Sequence, residues 1–232
     1  MDEIKTEGYS QEAHKYAHPI NDILFEEDIR AMFARAKNDR ERLALALDWV
    51  SAGRPEEIAR LKKEDVLIAQ DRVTLHIQTL KLGRTKGFTA DHRNLEFDRP
   101  TGLNEIVWLE LIIKRALACA PGELLLPLTS RWHELAINRL GVEALGKKIS
   151  PYHLRHSVLS HKAASGYSIP QLMHFKGAKS AKSVEPYLHL RPFVVKMQNE
   201  KLFRQEPTKT EQDTGGHTSS IPPASENAPS QG

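Results

Sequence analysis

Residues 41–58 read Glu-Arg-Leu-Ala-Leu-Ala-Leu-Asp-Trp-Val-Ser-Ala-Gly-Arg-Pro-Glu-Glu-Ile. From Glu41 to Val50 the apolar residues run almost without a break, which predicts a deeply buried helix rather than a surface one. Gly53 suits its stop. Pro55 then stands where a first-turn proline is tolerated, and Glu56 and Glu57 follow at the end of a helix dipole that favours negative charge. A second helix therefore starts at once and runs to about Lys62. Arg54 is pinned in the tight joint between the two.

Upstream, Ile29, Met32, Phe33 and Ala36 repeat at helical spacing. Downstream, Val73, Leu75, Ile77 and Thr79 alternate with Thr74, His76, Gln78 and Leu80, the period of a strand, and Leu95-Glu96-Phe97 can return as its partner. The turn between them carries Lys81, Arg84 and Lys86. A long helix (Leu103 to Ala118), an apolar Leu124-Leu125-Leu126 and a helix from about Ser130 to Leu145 come next. Residues 153–165 form a helix ended by Gly166, Ser168 caps a short one ended by Gly177, and Ala181 to His189 make another. Residues 192–204 pattern as an amphipathic helix with Phe193, Val194, Met197 and Leu202 as anchors. The expected fold is mainly α with a small antiparallel β-sheet.

At 232 residues and 40% hydrophobic, the chain can bury a real core, so collagen, coiled-coil and fully disordered readings are excluded. The single cysteine, Cys119, cannot close an internal disulfide or supply a zinc cluster, which excludes a stapled secreted scaffold and points to a reducing compartment. No apolar run approaches the roughly 20 residues of a membrane span, and Met1-Asp2-Glu3-Ile4-Lys5 lacks a signal-peptide core. A soluble intracellular protein is expected, in the cytoplasm or nucleoid, or in the nucleus of a eukaryote.

The net charge of +3 is unevenly spread. Lys147 to Arg204 holds eleven Lys/Arg against two Asp/Glu, whereas residues 205–232 hold one Lys against four acids. A basic third can follow a phosphate backbone by releasing condensed counterions, or can simply be a well-solvated surface. Residues 205–232, rich in Pro, Ser, Thr and Gly, bury too little to offset ordering entropy and are expected to be a disordered tail. Residues 1–20 form a polar segment, where His14 and His18 lack further ligands and read as solvated. The domain expected between these ends is 21–204.

Singly, an Arg before a Pro, a Lys in a hairpin or a Tyr in a basic helix means little. In order they are distinctive: Gly53-Arg54-Pro55-Glu56-Glu57-Ile58 with Leu61 and Asp65-Val66, then Lys86 in a β-turn, Leu154-Arg155-His156, Gly177 and Tyr187. Over about residues 22–190 this series resembles the catalytic domain of the tyrosine recombinase (phage integrase) family.

That resemblance implies a chemistry. A tyrosine oxygen attacks a DNA phosphodiester, leaving a 3′-phosphotyrosyl bond and a free 5′-hydroxyl, and a second strand's 5′-hydroxyl reverses the step. Charge on the five-coordinate transition state is met by two guanidiniums, whose places Arg54 and Arg155 match. Lys86 matches the hairpin lysine that protonates the leaving oxygen. Tyr187, 32 residues beyond Arg155, matches the nucleophile. His156 and Glu57 match supporting positions, Glu57 orienting Arg54. Lys81, Arg84, Lys176, Lys179 and Lys182 are candidate DNA contacts. The resemblance calls for no metal or cofactor, for double-stranded DNA as partner, and for an oligomer on DNA with no membrane role. In the family a terminal segment docks onto a neighbouring subunit; packing of residues 192–204 within the chain is equally open.

Three departures stand out. Three residues before its second arginine the family usually has His, and here Tyr152 stands there with His153 one step later; a phenol with a pKa near 10 is a poor base at neutral pH. Nine residues before the tyrosine, where the family places His or Trp, stands Ala178, which donates nothing; His174, Lys176 or Lys179 are candidates to compensate. Typical members also carry a further N-terminal helical domain, so weak, salt-sensitive DNA binding is expected. Tyr152 and Ala178 keep a rival reading open, a catalytically impaired DNA-binding regulator that retains the fold. A helix-turn-helix repressor built on residues 153–177 leaves Arg54 and Lys86 unused.

Overall fold

The computed structural model describes residues 23–79, 91–99 and 107–204. The polar N-terminal segment, the tail from 205 and the hairpin residues Lys81, Arg84 and Lys86 lie outside them, as does the start of the helix expected from Leu103. In chain order the elements are α1 (Glu26–Ala34), α2 (Asp39–Ser51), α3 (Pro55–Ile58), a 3-10 turn (Lys63–Asp65), β1 (Val66–Ile68), β2 (Arg72–Thr79), β3 (Asp91–Asp98), α4 (Val107–Ala118), α5 (Ser130–Leu145), α6 (Pro151–Ala164), α7 (Ile169–Lys176), a second 3-10 turn (Ala181–Ser183) and α8 (Glu185–Arg204). The fold is mainly helical with one small antiparallel sheet, as the sequence predicts.

Helix α2 is the hub. Asn38 caps it by accepting the Glu41 backbone N–H at 3.0 Å. Leu43, Ala44, Leu45, Ala46 and Leu47 are all buried, because α4, α5 and α6 pack around it; each leucine so enclosed contributes on the order of 2 kcal/mol of transfer free energy. The helix stops one residue earlier than Gly53 suggests. Ala52 is the left-handed residue, at φ 47°, a conformation that costs an L-residue about 1–2 kcal/mol. Gly53 is required for space instead, since a Cβ there would lie 2.7 Å from Ile58 Cγ1 and 2.9 Å from Ser51 Oγ.

Helix α3 is also shorter than its pattern suggests, a single turn rather than a run to Lys62. Tertiary pairing takes the backbone away: Lys62 bridges to Leu124, Lys63 N–H donates to the Glu123 carbonyl at 3.0 Å, and Leu125 N–H donates to the Leu61 carbonyl at 2.8 Å.

In the sheet, strands run in the order β1-β2-β3. Val73, Leu75 and Ile77 are buried on one face of β2, and the expected partner stretch pairs with it in β3, with Leu75 opposite Leu95 and Val73 opposite Phe97. Strand β1, only three residues long and paired through Val66 and Leu75, has no alternation long enough to be read from sequence.

Helix α7 starts after Ser168 and ends at Gly177, φ 66°, both as expected. Helix α8 is one element where two were expected, running through Pro192. Leu190 and Val194, on either side of that proline, are buried with Ile23 and Phe25, and Phe193 and Met197 pack against them. Of the candidate anchors, Phe193, Val194 and Met197 are thus engaged within the chain, which offsets the hydrogen bond that the proline removes, while the Leu202 side chain lies outside the described ones.

Candidate active site

Four segments bring their charged and aromatic side chains together. The α2–α3 joint presents Arg54, whose guanidinium Nη1 donates to Glu57 Oε1 at 2.6 Å while its backbone N–H donates to Glu57 Oε2 at 3.1 Å. Glu57 is itself fully buried and receives a second guanidinium, that of Arg93 on β3, at 2.8 Å. Burial opposes ionisation of the Glu57 carboxyl, but the hydrogen bond and charge of Arg93, and then Arg54, outweigh it and hold the carboxyl below its ordinary range. Arg54 keeps 26% of its side chain exposed, so the carboxylate fixes it without hiding it.

Helix α6 supplies Arg155, 5% exposed. Its Nη1 donates to the Ala52 carbonyl and its Nη2 to the Lys176 carbonyl at 2.6 Å. One guanidinium thereby ties the left-handed end of α2 to the C-terminal end of α7. Burial, reinforced by the neighbouring Arg54 charge, brings Arg155 down to about 10; such a group still carries its charge at neutral pH and lacks an equal share of anions.

Tyr187 lies in the first turn of α8 and is buried. Its ring sits against that of His156, centroids 5.3 Å apart. Burial pushes its phenol above the ordinary value, while first Arg155 and then Arg54 pull the other way. Both guanidiniums are therefore within electrostatic reach of the hydroxyl.

The candidate residues divide. Arg54, Glu57, Arg155, His156 and Tyr187 come together. Tyr152 is 44% exposed. His153 Nδ1 is engaged by Ser150, 3.1 Å from its N–H and 2.7 Å from its hydroxyl, an arrangement that closes the start of α6. His174 Nε2 is 2.8 Å from the Asn94 carbonyl. Ala178 is half-buried against the core, and Lys179 and Lys182 are exposed on the segment between α7 and α8.

Lys176 differs from a solvated phosphate contact: it is half-buried, its Nζ donates to the Ser183 carbonyl and it lies 5.0 Å from the centroid of the Tyr187 ring. Arg93 is a residue that sequence reasoning missed. It is buried beneath Gly177 and bonded to Thr79 Oγ1 at 3.3 Å; the available signal was an arginine at an inward position of the strand that pairs with β2, opposite Ile77.

No protein-family model matches the chain, and no curated protein matches it. Solved structures do. XerA recombinase is similar at a TM-score of 0.58 and 17% identity, over 79% of this chain and 65% of that one. XerH site-specific recombinase bound to palindromic difH substrate, a post-cleavage complex, gives 0.57 and 17%, over 78% and 53%, and its pre-cleavage complex with difH gives 0.56 and 18%, over 74% and 50%. The chain spans less than two thirds of the length of the chains it matches. With the helices, the three-stranded sheet and their order as described, the fold of this chain is that of the tyrosine recombinase catalytic domain.

Proposed function

We propose that the protein is a site-specific DNA recombinase or integrase that cleaves and rejoins strands through a 3′-phosphotyrosyl intermediate. The observation that supports this reading is the buried Tyr187, whose phenol feels the charges of Arg155 and Arg54; among the described residues Glu57 pairs with both Arg54 and Arg93, and Arg155 is answered by carbonyls. A cluster so rich in fixed cations calls for an anion, and a phosphodiester with a nucleophile beside it fits.

In this reading Arg54 and Arg155 hold the non-bridging oxygens, and charge on the transition state strengthens those bonds. Tyr187 Oη bonds to phosphorus as the P–O5′ bond breaks, and Lys86 gives the leaving oxygen its proton. Arg84, Lys81, Lys179 and Lys182 contact flanking phosphates. The catalytic unit is residues 21–204, between a polar segment and an acidic tail, and it works inside the cell on double-stranded DNA as an oligomer. XerH, which shares the fold, is a site-specific recombinase bound to difH.

The test uses nicked duplexes made from the DNA flanking the gene. The expected result is an SDS-resistant protein–DNA adduct that disappears in Tyr187→Phe while DNA binding persists. The rival, a DNA-binding regulator that retains the fold, is favoured by Ala178 and by the exposure of Tyr152; firm binding by the wild type without an adduct would establish it.

A further inference from the structure

The phenolic proton of Tyr187 has no assigned destination. Burial keeps the hydroxyl protonated, so attack on phosphorus needs a base beside it. His153 and His174 are engaged elsewhere, Tyr152 is on the surface, and His156 meets the Tyr187 ring with its own ring, tilted at 47°. Lys176 packs its ammonium over the face of the Tyr187 ring, on which the reacting hydroxyl is carried. Its backbone carbonyl is gripped by Arg155, its Nζ is anchored on the Ser183 carbonyl, and that nitrogen lies over the Tyr187 ring at 5.0 Å. It occupies the helix end two residues before Ala178, where a side-chain donor is lacking.

We infer that Lys176 is the proton partner of Tyr187: as an amine it takes the phenolic proton while Oη bonds to phosphorus, and as an ammonium it returns that proton when the phosphotyrosyl bond is resolved. The inference rests on the nucleophilic role proposed for Tyr187. The step balances, because the P–O5′ bond breaks as the Oη–P bond forms, and the leaving oxygen takes a proton from Lys86. A neutral amine keeps two N–H donors, so the bond to Ser183 survives while the lone pair turns to the phenol.

The surroundings favour that role. Helix α6 brings Arg155 and His156, the α2–α3 joint Arg54, β3 Arg93 with its Glu57 partner, the second 3-10 turn the exposed Lys182, and α8 Tyr187. Burial first, then the Arg155 and Arg54 charges, bring the amine down to about 8, which is where a base operating near neutral pH is most effective. An arginine at 176 could not act this way, because guanidinium does not give up its proton.

Two measurements on the full chain test this. Lysine ¹³Cε NMR, with Lys176→Arg for assignment, reads the titration without DNA; a midpoint of about 8 is expected, and an ordinary midpoint of about 10.4 overturns the proposal. Adduct formation on the nicked duplex is then followed against pH. In the wild type the rate should climb through pH 8, and Lys176→Met and Lys176→Arg should both lose about a hundredfold and that climb, with thermal unfolding checked for each. Adducts formed as fast by Lys176→Met as by the wild type overturn this inference alone. A wild type that forms none overturns the recombinase reading and the inference together.

Discussion

Gly177 lies directly on the guanidinium of Arg93: a Cβ added at 177 would stand 2.8 Å from Arg93 Nη1 and 3.0 Å from Thr79 Oγ1. The end of α7, which carries Lys176, is thus seated on the same buried arginine that pairs with Glu57 and, through it, fixes Arg54. The sheet supports the cluster through this contact.

Gly177→Ala should therefore cost about 2 kcal/mol or more, combining the left-handed backbone at φ 66° with overpacking against Arg93. Urea unfolding measures it. Gly146→Ala is the control, because that glycine is also left-handed, at φ 67°, but has open space around it; it should lose only the backbone part.

Glu57→Ala leaves Arg93 buried with its charge unanswered and should cost roughly 3–5 kcal/mol. The pH dependence has a fixed sign. Glu57 titrates below its ordinary 4.5 in the fold, so its contribution is fully present above that value and is lost as pH falls through the folded-state pKa. Unfolding free energy measured from pH 7 downward should fall less steeply in Glu57→Gln than in the wild type.

Arg155→Lys removes a fork that reaches two carbonyls at once. An ammonium keeps the charge but not the planar pair of donors, so adduct formation should drop about a hundredfold or more. The variant should also be less stable, because the left-handed Ala52 loses its partner. Quantified adduct gels and thermal unfolding read the two effects separately.

Ala178→His returns an imidazole to the position left without a donor. An imidazole can also accept a proton, so with Lys176 serving as the base the substitution should change wild-type adduct rates little, yet restore about tenfold or more in a Lys176→Met background. Equal gains in both backgrounds would show that the two positions act independently.

Asp48 and His133 meet at 2.7 Å, both fully buried between α2 and α5. Burial raises the Asp48 carboxyl; it opposes charge on His133, where the Asp48 charge prevails and raises the imidazole. Asp48→Leu and His133→Leu should each be strongly destabilising, by about 3 kcal/mol or more, and the double substitution should cost clearly less than their sum. A double-mutant cycle by chemical unfolding measures this.

Much of the fold was legible in local pattern. The uninterrupted apolar run of α2, the alternation along β2 and the Ser168 and Gly177 ends of α7 each follow from short-range rules that hold wherever the segment sits. The errors lie where tertiary contacts override such rules. Backbone pairing with Leu124 cut α3 short, and packing of Leu190 and Val194 carried α8 through Pro192.

The sequence by itself determined the helical class with its small sheet, and the order in which Arg54, Arg155 and Tyr187 follow one another, because periodicity and spacing are properties of the chain alone. The tertiary structure decided which cations share the cluster. Arg93 joins them from a strand, and Lys176 turns from an expected DNA contact into a half-buried neighbour of Tyr187. The reason is physical: the cost of burying a charge, and the partner that offsets it, depend on what distant segments bring alongside, and no local pattern encodes that.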